Sequence, residues 1–278
     1  MIDFSGKIVL VTGGGVGIGR ATAEAFGKAG AKLAVIEKRQ DRADDVRQAL
    51  EGAGVEAMVV VGDVTDSATV ARLAEDIDAR FGGLDVLVNN VGDFLMIAKR
   101  FWDMTDDEIE RLYAVNLRHI FSVTRAMIPL LRKKGAGSSI VSVSSIEGFR
   151  AIPNGAVYAA FKAGVTGFTK SLAVELAPEG IRVNLIAPET TDTPQVAIWK
   201  MIAPEHREHI KSWIPMGRFG EPEDMAGGIL FLASSLAGWI TGTSLHIDGG
   251  ALAAGGWYRD VNGTWTNVPV ITGNGMNF

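Results

Sequence analysis

The 278-residue chain has no cysteine, which excludes disulfide staples and thiolate metal sites without naming a compartment. It also lacks a long basic run, and 27 Lys and Arg against 32 Asp and Glu leave a formal charge of -5. That balance argues against a nucleic-acid surface as the main business of the protein. The short cluster Arg132-Lys133-Lys134 precedes Gly135, where cations and glycine suit the end of a helix. The opening segment MIDFSGKIVLVTGG has no basic stretch followed by an apolar run of signal-peptide length. Residues 225–245 carry no charge, but Ser234, Ser235, Gly238 and Thr241-Gly242-Thr243 interrupt them. Helix, turn and strand are expected there rather than a membrane span, and the expected setting is cytoplasmic, with neither membrane nor nucleic acid as partner.

What is present is an alternation. Short β-branched runs stand at 7–12, 32–37, 56–61, 84–89, 139–144, 181–186 and 244–248, each separated from the next by room for a helix. Continuous apolar strands with helices between them predict a parallel sheet covered on both faces. The fold class is therefore α/β, a doubly wound, Rossmann-like single domain of about seven strands. One domain over 1–250 and an appended tail over 251–278 are expected.

The first strand runs into Gly13-Gly14-Gly15-Val16-Gly17-Ile18-Gly19, and a helical pattern follows at once. Glycines allow positive φ and close backbone approach, and free N–H groups at a helix start receive a pyrophosphate. About twenty residues on, Glu37 closes the second strand, where a carboxylate accepts hydrogen bonds from ribose hydroxyls and repels a 2′-phosphate. NAD is the expected cofactor. NADP is the alternative, because Lys38-Arg39 follows directly and could turn toward a phosphate.

Tyr158 and Lys162 lie four residues apart in VYAAFKAG, on one face of a helix and about one turn apart. That pair alone is compatible with a tuned proton donor or with a solvated helix surface. His206 and His209 sit among charged residues, and His119 and His246 have no ligand spacing, so no metal is expected.

TGGGVGIG near the start, NNVG at 89–92, Ser145 after the fifth strand and YAAFK at 158–162 together resemble the short-chain dehydrogenase/reductase family. The similarity spans residues 4 to about 250. It implies a catalytic tetrad of Asn116, Ser145, Tyr158 and Lys162. It also implies that Asp63-Val64 flank the adenine, that Asn89 and Gly92 line the cofactor cleft and that Thr193 lies near the carboxamide. With Gly13, Gly17, Ile18, Gly19, Glu37, Tyr158, Lys162 and Pro188, these make up the expected cofactor-binding set. A nearby ammonium and a nicotinamide cation would lower the phenol from its usual pKa near ~10. Tyr158 would then exchange the alcohol proton, and Ser145 would bond the substrate oxygen. Family resemblance further implies a homotetramer, with helices near 107–133 and 156–177 at one contact.

Three residues depart from the family pattern: Val91, Phe161 and Glu189. The first two are read as packing adjustments. Glu189 follows Pro188 where glycine is common, and its carboxylate is expected to face solvent. The resemblance also implies that 1–250 is a catalytic domain with a substrate lid at about 190–219, and the segment from Pro194 to Phe219 is rich in Ile, Trp and Met. With Phe94, Leu95, Met96 and Phe149 it suggests a roomy apolar pocket for a bulky alicyclic, aromatic or steroid-like small molecule, unless the lid packs on its own core. The tail aromatics Trp257, Tyr258 and Trp265 are expected to be covered by the same subunit or a partner. An NAD(H)-dependent oxidoreductase interconverting a secondary alcohol and a ketone is the leading function. The alternatives are an NADPH-dependent 3-oxoacyl thioester reductase and a non-catalytic dinucleotide sensor.

Overall fold

The computed structural model describes residues 2–255 and two short strands beyond them, Tyr258–Arg259 and Trp265–Thr266, which pair antiparallel. The side chains of residues 208, 209, 211 and 212 lie outside the described set.

Strands β1 (Ile8–Thr12), β2 (Lys32–Glu37), β3 (Ala57–Val61), β4 (Val86–Asn89), β5 (Ser139–Val143), β6 (Arg182–Pro188) and β7 (Ser244–Ile247) form one parallel sheet in the order β3-β2-β1-β4-β5-β6-β7. Each expected apolar run became a strand, within a residue or two at its ends. β1, β4, β5 and β6 are buried along their whole length, as strands covered on both faces must be.

The helices divide between the faces. α1 (Gly17–Lys28) and α2 (Gln40–Gly52) cover one side, and α3 (Ser67–Phe81), α4 (Asp106–Tyr113), α5 (His119–Lys134) and α6 (Ala156–Leu176) cover the other. Two short turns of helix, α7 (Ile198–Met201) and α8 (Ile210–Trp213), fall in the 190–219 segment expected to be a lid, and α9 (Pro222–Ala233) returns to pack against α1. One core layer gathers Phe4, Phe26, Val35, Val88, Val141 and Ile229, and the opposite layer gathers Ile36, Leu73, Leu87, Met127, Ile140 and Leu172. Each such side chain contributes roughly 1.5–3 kcal/mol of burial.

Local chemistry sets the helix ends. Asp66 accepts from the N–H groups of Ala68 and Thr69 at the head of α3, and Gly82, at φ 69°, stops it. Thr105 and Glu108 form a reciprocal capping box on α4. The uncharged stretch at 225–245 resolves into most of α9, a turn and the start of β7, and no described helix is long and apolar enough to cross a membrane.

The strand order reverses between β1 and β4, so the connections leaving their C-terminal ends diverge to opposite faces. Such a switch point opens a crevice above the sheet, where ligands of open α/β sheets bind.

Candidate active site

The first wall of that crevice is backbone. Gly13 and Gly17 take positive φ, 63° and 56°, in the left-handed region that glycine enters without strain. Gly19 is required for a different reason: a Cβ there would stand 2.2 Å from the Gly13 carbonyl oxygen. Val16 caps α1 without a side-chain hydrogen bond, and the first turn holds no acidic residue. The N–H groups of that turn, Ile18 among them, are thus left for an outside anion. This cradle fits a dinucleotide pyrophosphate.

Glu37 is buried at the end of β2. Its carboxylate accepts from the N–H of Gly15 at 3.2 Å and of Arg39 at 3.0 Å. The basic pair beside it is already engaged, since Lys38 meets Asp63 at 2.8 Å and Arg39 meets Asp41 at 2.6 Å. Asp63 also accepts from the Thr65 N–H and hydroxyl, and Val64 is buried next to it. Lys38 and the Thr65 bonds hold the Asp63 carboxyl below its usual range, although desolvation opposes them.

One expectation is corrected here. The Asn89 side chain does not face the crevice; it is fully buried, donating to Thr124 Oγ1 at 3.0 Å and Ser142 Oγ at 3.4 Å. Asn90 reaches the glycine loop instead, donating to the carbonyls of Thr12 at 2.9 Å and Gly13 at 3.2 Å. Successive side chains on extended backbone point to opposite sides, and this alternation was the signal for preferring Asn90. Gly92 lies against the second wall, where a Cβ would stand 2.7 Å from Lys162 Nζ.

The second wall carries the reactive side chains. Tyr158 and Lys162 lie on α6, with the ammonium 5.7 Å from the centre of the phenol ring. Lys162 is buried and donates to the Val143 carbonyl at 3.2 Å. Ser145 stands close enough to the Tyr158 hydroxyl to lower its pKa and accepts from the Glu147 N–H at 3.1 Å. Ser144 points away, donating to the Lys162 carbonyl at 2.9 Å.

Asn116 falls in a π-helical turn, Ala114–Arg118, between α4 and α5, rather than in an uninterrupted helix. It accepts from the Asp93 N–H at 3.1 Å and donates to the carbonyls of Asp93 at 2.7 Å and Leu112 at 3.0 Å. Bulges of this kind re-aim one side chain at a functional spot. Pro188 ends β6, and Thr193 lies across the crevice, its side chain 3.2 Å from where a Gly17 Cβ would be.

The electrostatics differ from the sequence expectation. Burial pushes the Tyr158 phenol up to about 12; the Ser145 bond lowers it, and the charges of Glu147 and Asp93 raise it further. Lys162 is pulled down to about 8 by burial, against the opposing charge of Asp93. The chain's own groups therefore raise the phenol, because burial disfavours the phenolate more than the neighbouring Ser145 favours it. Asp93 was not among the expected site residues, and its place beside both groups depends on the loop after β4. His119 is buried, and its ring nitrogens lie near the backbone of Val115 and Val91 without well-formed hydrogen bonds. Burial and the Lys162 charge lower it to about 4.

Glu189 is a second correction: it is buried, not solvent-facing. One oxygen accepts from the Thr190 N–H and hydroxyl, each at 2.9 Å, and the other lies 2.6 Å from Arg150 Nη2. Arg150 also contacts Glu147 at 2.8 Å.

The lid largely packs on itself. Ile202, Ile210, Trp213, Ile214 and Phe219 form their own cluster, with Ile198 and Trp199 against it. Phe149 packs edge-on against His246. A cavity of about 100 Å³ beneath the lid is lined by Glu189, Ile214, Met216, Phe219 and Ile247 among others, but by neither Ser145 nor Tyr158. The side chains of Trp257, Tyr258 and Trp265 lie outside the described residues.

A glycine cradle at the switch point, faced by a phenol, a hydroxyl and a buried ammonium, defines the class of doubly wound, dinucleotide-dependent oxidoreductases. A family model described as enoyl-(acyl carrier protein) reductase matches residues 14–251. The 3-oxoacyl-(acyl-carrier-protein) reductase FabG of Thermotoga maritima is 38% identical over 248 residues, 88% of this chain and 97% of that one. The Escherichia coli protein of the same name is 37% identical over 252 residues, covering 90% and 98%. Among solved structures, a 7α-hydroxysteroid dehydrogenase complexed with NADH and 7-oxoglycochenodeoxycholic acid superposes with a TM-score of 0.82 at 31% identity, covering 89% and 95%. A short-chain dehydrogenase from Burkholderia cenocepacia in complex with NADP gives 0.80 at 35%, covering 90% and 99%. The chain belongs to the short-chain dehydrogenase/reductase family.

Proposed function

We propose that this protein is an NAD(H)-dependent oxidoreductase that interconverts a secondary alcohol and a ketone on a bulky apolar substrate. The observation that carries the reading is the convergence of Tyr158, Ser145 and Lys162 beside the glycine cradle. Bound NAD supplies a hydride acceptor, and NADH a donor for the reverse direction. In oxidation the Tyr158 phenolate takes the alcohol proton while Ser145 donates a hydrogen bond to the substrate oxygen; in reduction the phenol protonates that oxygen. Lys162 orients the cofactor ribose and favours the phenolate, and Asn116 fixes the Asp93 loop beside it. The preference for NAD rests on buried Glu37 and on the ion pairs that already engage Lys38 and Arg39.

The reductase names of the curated relatives favour a second reading, a 3-oxoacyl thioester reductase using NADPH. A fluorescence titration with NADH and with NADPH separates the two without a substrate. NADH tighter by roughly tenfold, about 1.4 kcal/mol, supports the first. The reverse assigns Lys38 or Arg39 to the 2′-phosphate and promotes the second, and binding of neither overturns both. A homotetramer belongs to the same proposal, supported by the exposed Val174, Leu236 and Trp239; sedimentation velocity tests the assembly.

A further inference from the structure

Three charged side chains from two segments meet beneath the reacting groups. Glu147 and Arg150 come from the connection between β5 and α6, two and five residues after Ser145, and Glu189 comes from the end of β6. Arg150 Nη2 lies 2.8 Å from Glu147 Oε1 and 2.6 Å from Glu189 Oε2, with side-chain exposures of 7% for Arg150, 10% for Glu147 and 4% for Glu189. Arg150 Nε adds a longer bond to Glu147 Oε2 at 3.4 Å. The Glu189 contact is an ion pair whose angle does not suit a hydrogen bond, and Arg150 Nη1 has no hydrogen-bond partner among the described residues. One guanidinium thus serves two buried carboxyl groups, and burial raises the Glu189 carboxyl above its usual range against the opposing charge of Arg150.

We propose that Glu189 is a positioning residue: by sharing Arg150 with Glu147, it decides how much of the Glu147 charge is felt at Tyr158, and it ties the Ser145 segment to the base of the lid. The proposal rests on Tyr158 being the proton donor and acceptor. The geometry is specific. Glu147 is tied to the reacting groups by its N–H bond to Ser145 Oγ at 3.1 Å and its charge raises the Tyr158 phenol, Arg150 is a cation that meets it, and Glu189 competes for that cation. Low-dielectric surroundings make such competition effective over a few ångströms. The other groups facing Tyr158 are Lys162 on its own helix, Ser145, and Asp93 from the loop after β4, with His119 of α5 near Lys162. None of these contacts Glu189, so a change there reaches Tyr158 through Arg150 and Glu147. Glu189 also lines the cavity shared with Ile214, Met216 and Phe219 of the 190–219 segment.

The test reads the phenol directly. With ¹³Cζ-labelled tyrosine and saturating NAD, the Tyr158 resonance is assigned by its loss in Tyr158→Phe and followed against pH. Glu189→Gln keeps the shape and frees Arg150 for Glu147, so the Tyr158 midpoint falls by roughly half a unit to one unit. Arg150→Met removes the cation that both carboxylates meet and moves it upward by a similar amount or more. Opposite shifts in the two variants support the proposal, and so does the downward shift of Glu189→Gln alone if Arg150→Met fails to fold. A Glu189→Gln midpoint equal to that of the parent overturns it, whatever happens to stability. NAD binding is followed in the same samples by fluorescence, so a failure of the dinucleotide reading shows as lost binding, whereas a failure of this proposal shows as an unmoved phenol.

Discussion

The two ends of the crevice are built from different materials. Where β1 meets β2, recognition is carried by backbone: glycines at positive φ, bare N–H groups at a helix start, and one carboxylate at a strand end. Above β5 and β6, it is carried by side chains from distant segments: Ser145, Tyr158 and Lys162, surrounded by Asp93, Glu147, Arg150 and Glu189. The first end is defined by what is absent, namely side-chain volume. The second is defined by charges whose values each neighbour resets. A substitution in the glycine loop should therefore act through sterics, and one at the substrate end through proton affinity.

The largest break in that contrast is expected from Tyr158→Phe, which removes the exchangeable proton and little volume. Its kcat/KM should fall by about 10³-fold or more, within the range of a general acid–base group and its hydrogen bonds, while NADH fluorescence titration gives an affinity close to that of the parent. Unchanged turnover would take the proton transfer away from Tyr158.

Gly19→Ala tests the other end. Its Cβ overlaps the Gly13 carbonyl, and because the clash is with backbone it has no cheap relief. A loss of several kcal/mol of stability, at the upper end of the overpacking range of about 1–3 kcal/mol or above it, should accompany loss of dinucleotide binding, read from denaturant midpoints and the same titration. Retained binding would show the loop to be more pliant than its geometry suggests.

His119 lies between the two ends. Its native pKa near 4 lies below the ordinary 6.5, so the unfolded chain binds the extra proton between those values. Stability is thus fully present above pH 6.5, and the loss grows as pH falls toward 4. The whole step is worth about 3 kcal/mol at 1.36 kcal/mol per unit. In His119→Leu the urea midpoint should lose less of its value between pH 7.5 and pH 4.5 than in the parent, and equal losses would remove His119 from the account.

The smallest effect is expected at Glu37. Replacement by Ala removes the carboxylate that accepts from Gly15 and Arg39, and should narrow the NADH-to-NADPH affinity ratio by about tenfold, or about 1.4 kcal/mol. A ratio that does not move would make the ion pairs of Lys38 and Arg39 the selectors instead.

Legibility followed the same division. The seven strands, the glycine loop and Glu37 were readable because each depends on a few consecutive residues: apolar runs, positive-φ glycines and a strand end. Tyr158 and Lys162 were readable as a pair through helical periodicity, and became reactive candidates through the family resemblance. Asn89 was misassigned because the motif NNVG gives two adjacent amides, and only the alternation of the backbone decides that Asn90 meets the loop. Glu189 was expected in solvent because a charged residue after a proline ordinarily is exposed; its partner lies 39 positions earlier, on another connection. The lid's apolar residues were readable as apolar, but their sequence does not say whether they cover a substrate or each other.

By itself the sequence determined the sheet, the cradle and the reactive pair, because periodicity and glycine placement act over one turn or one strand. Only the tertiary structure decided the charge around the phenol and the burial of Glu189. Those depend on which segments the strand order β4-β5-β6 brings side by side, and electrostatic energy in a desolvated site is set by that distance rather than by separation along the chain.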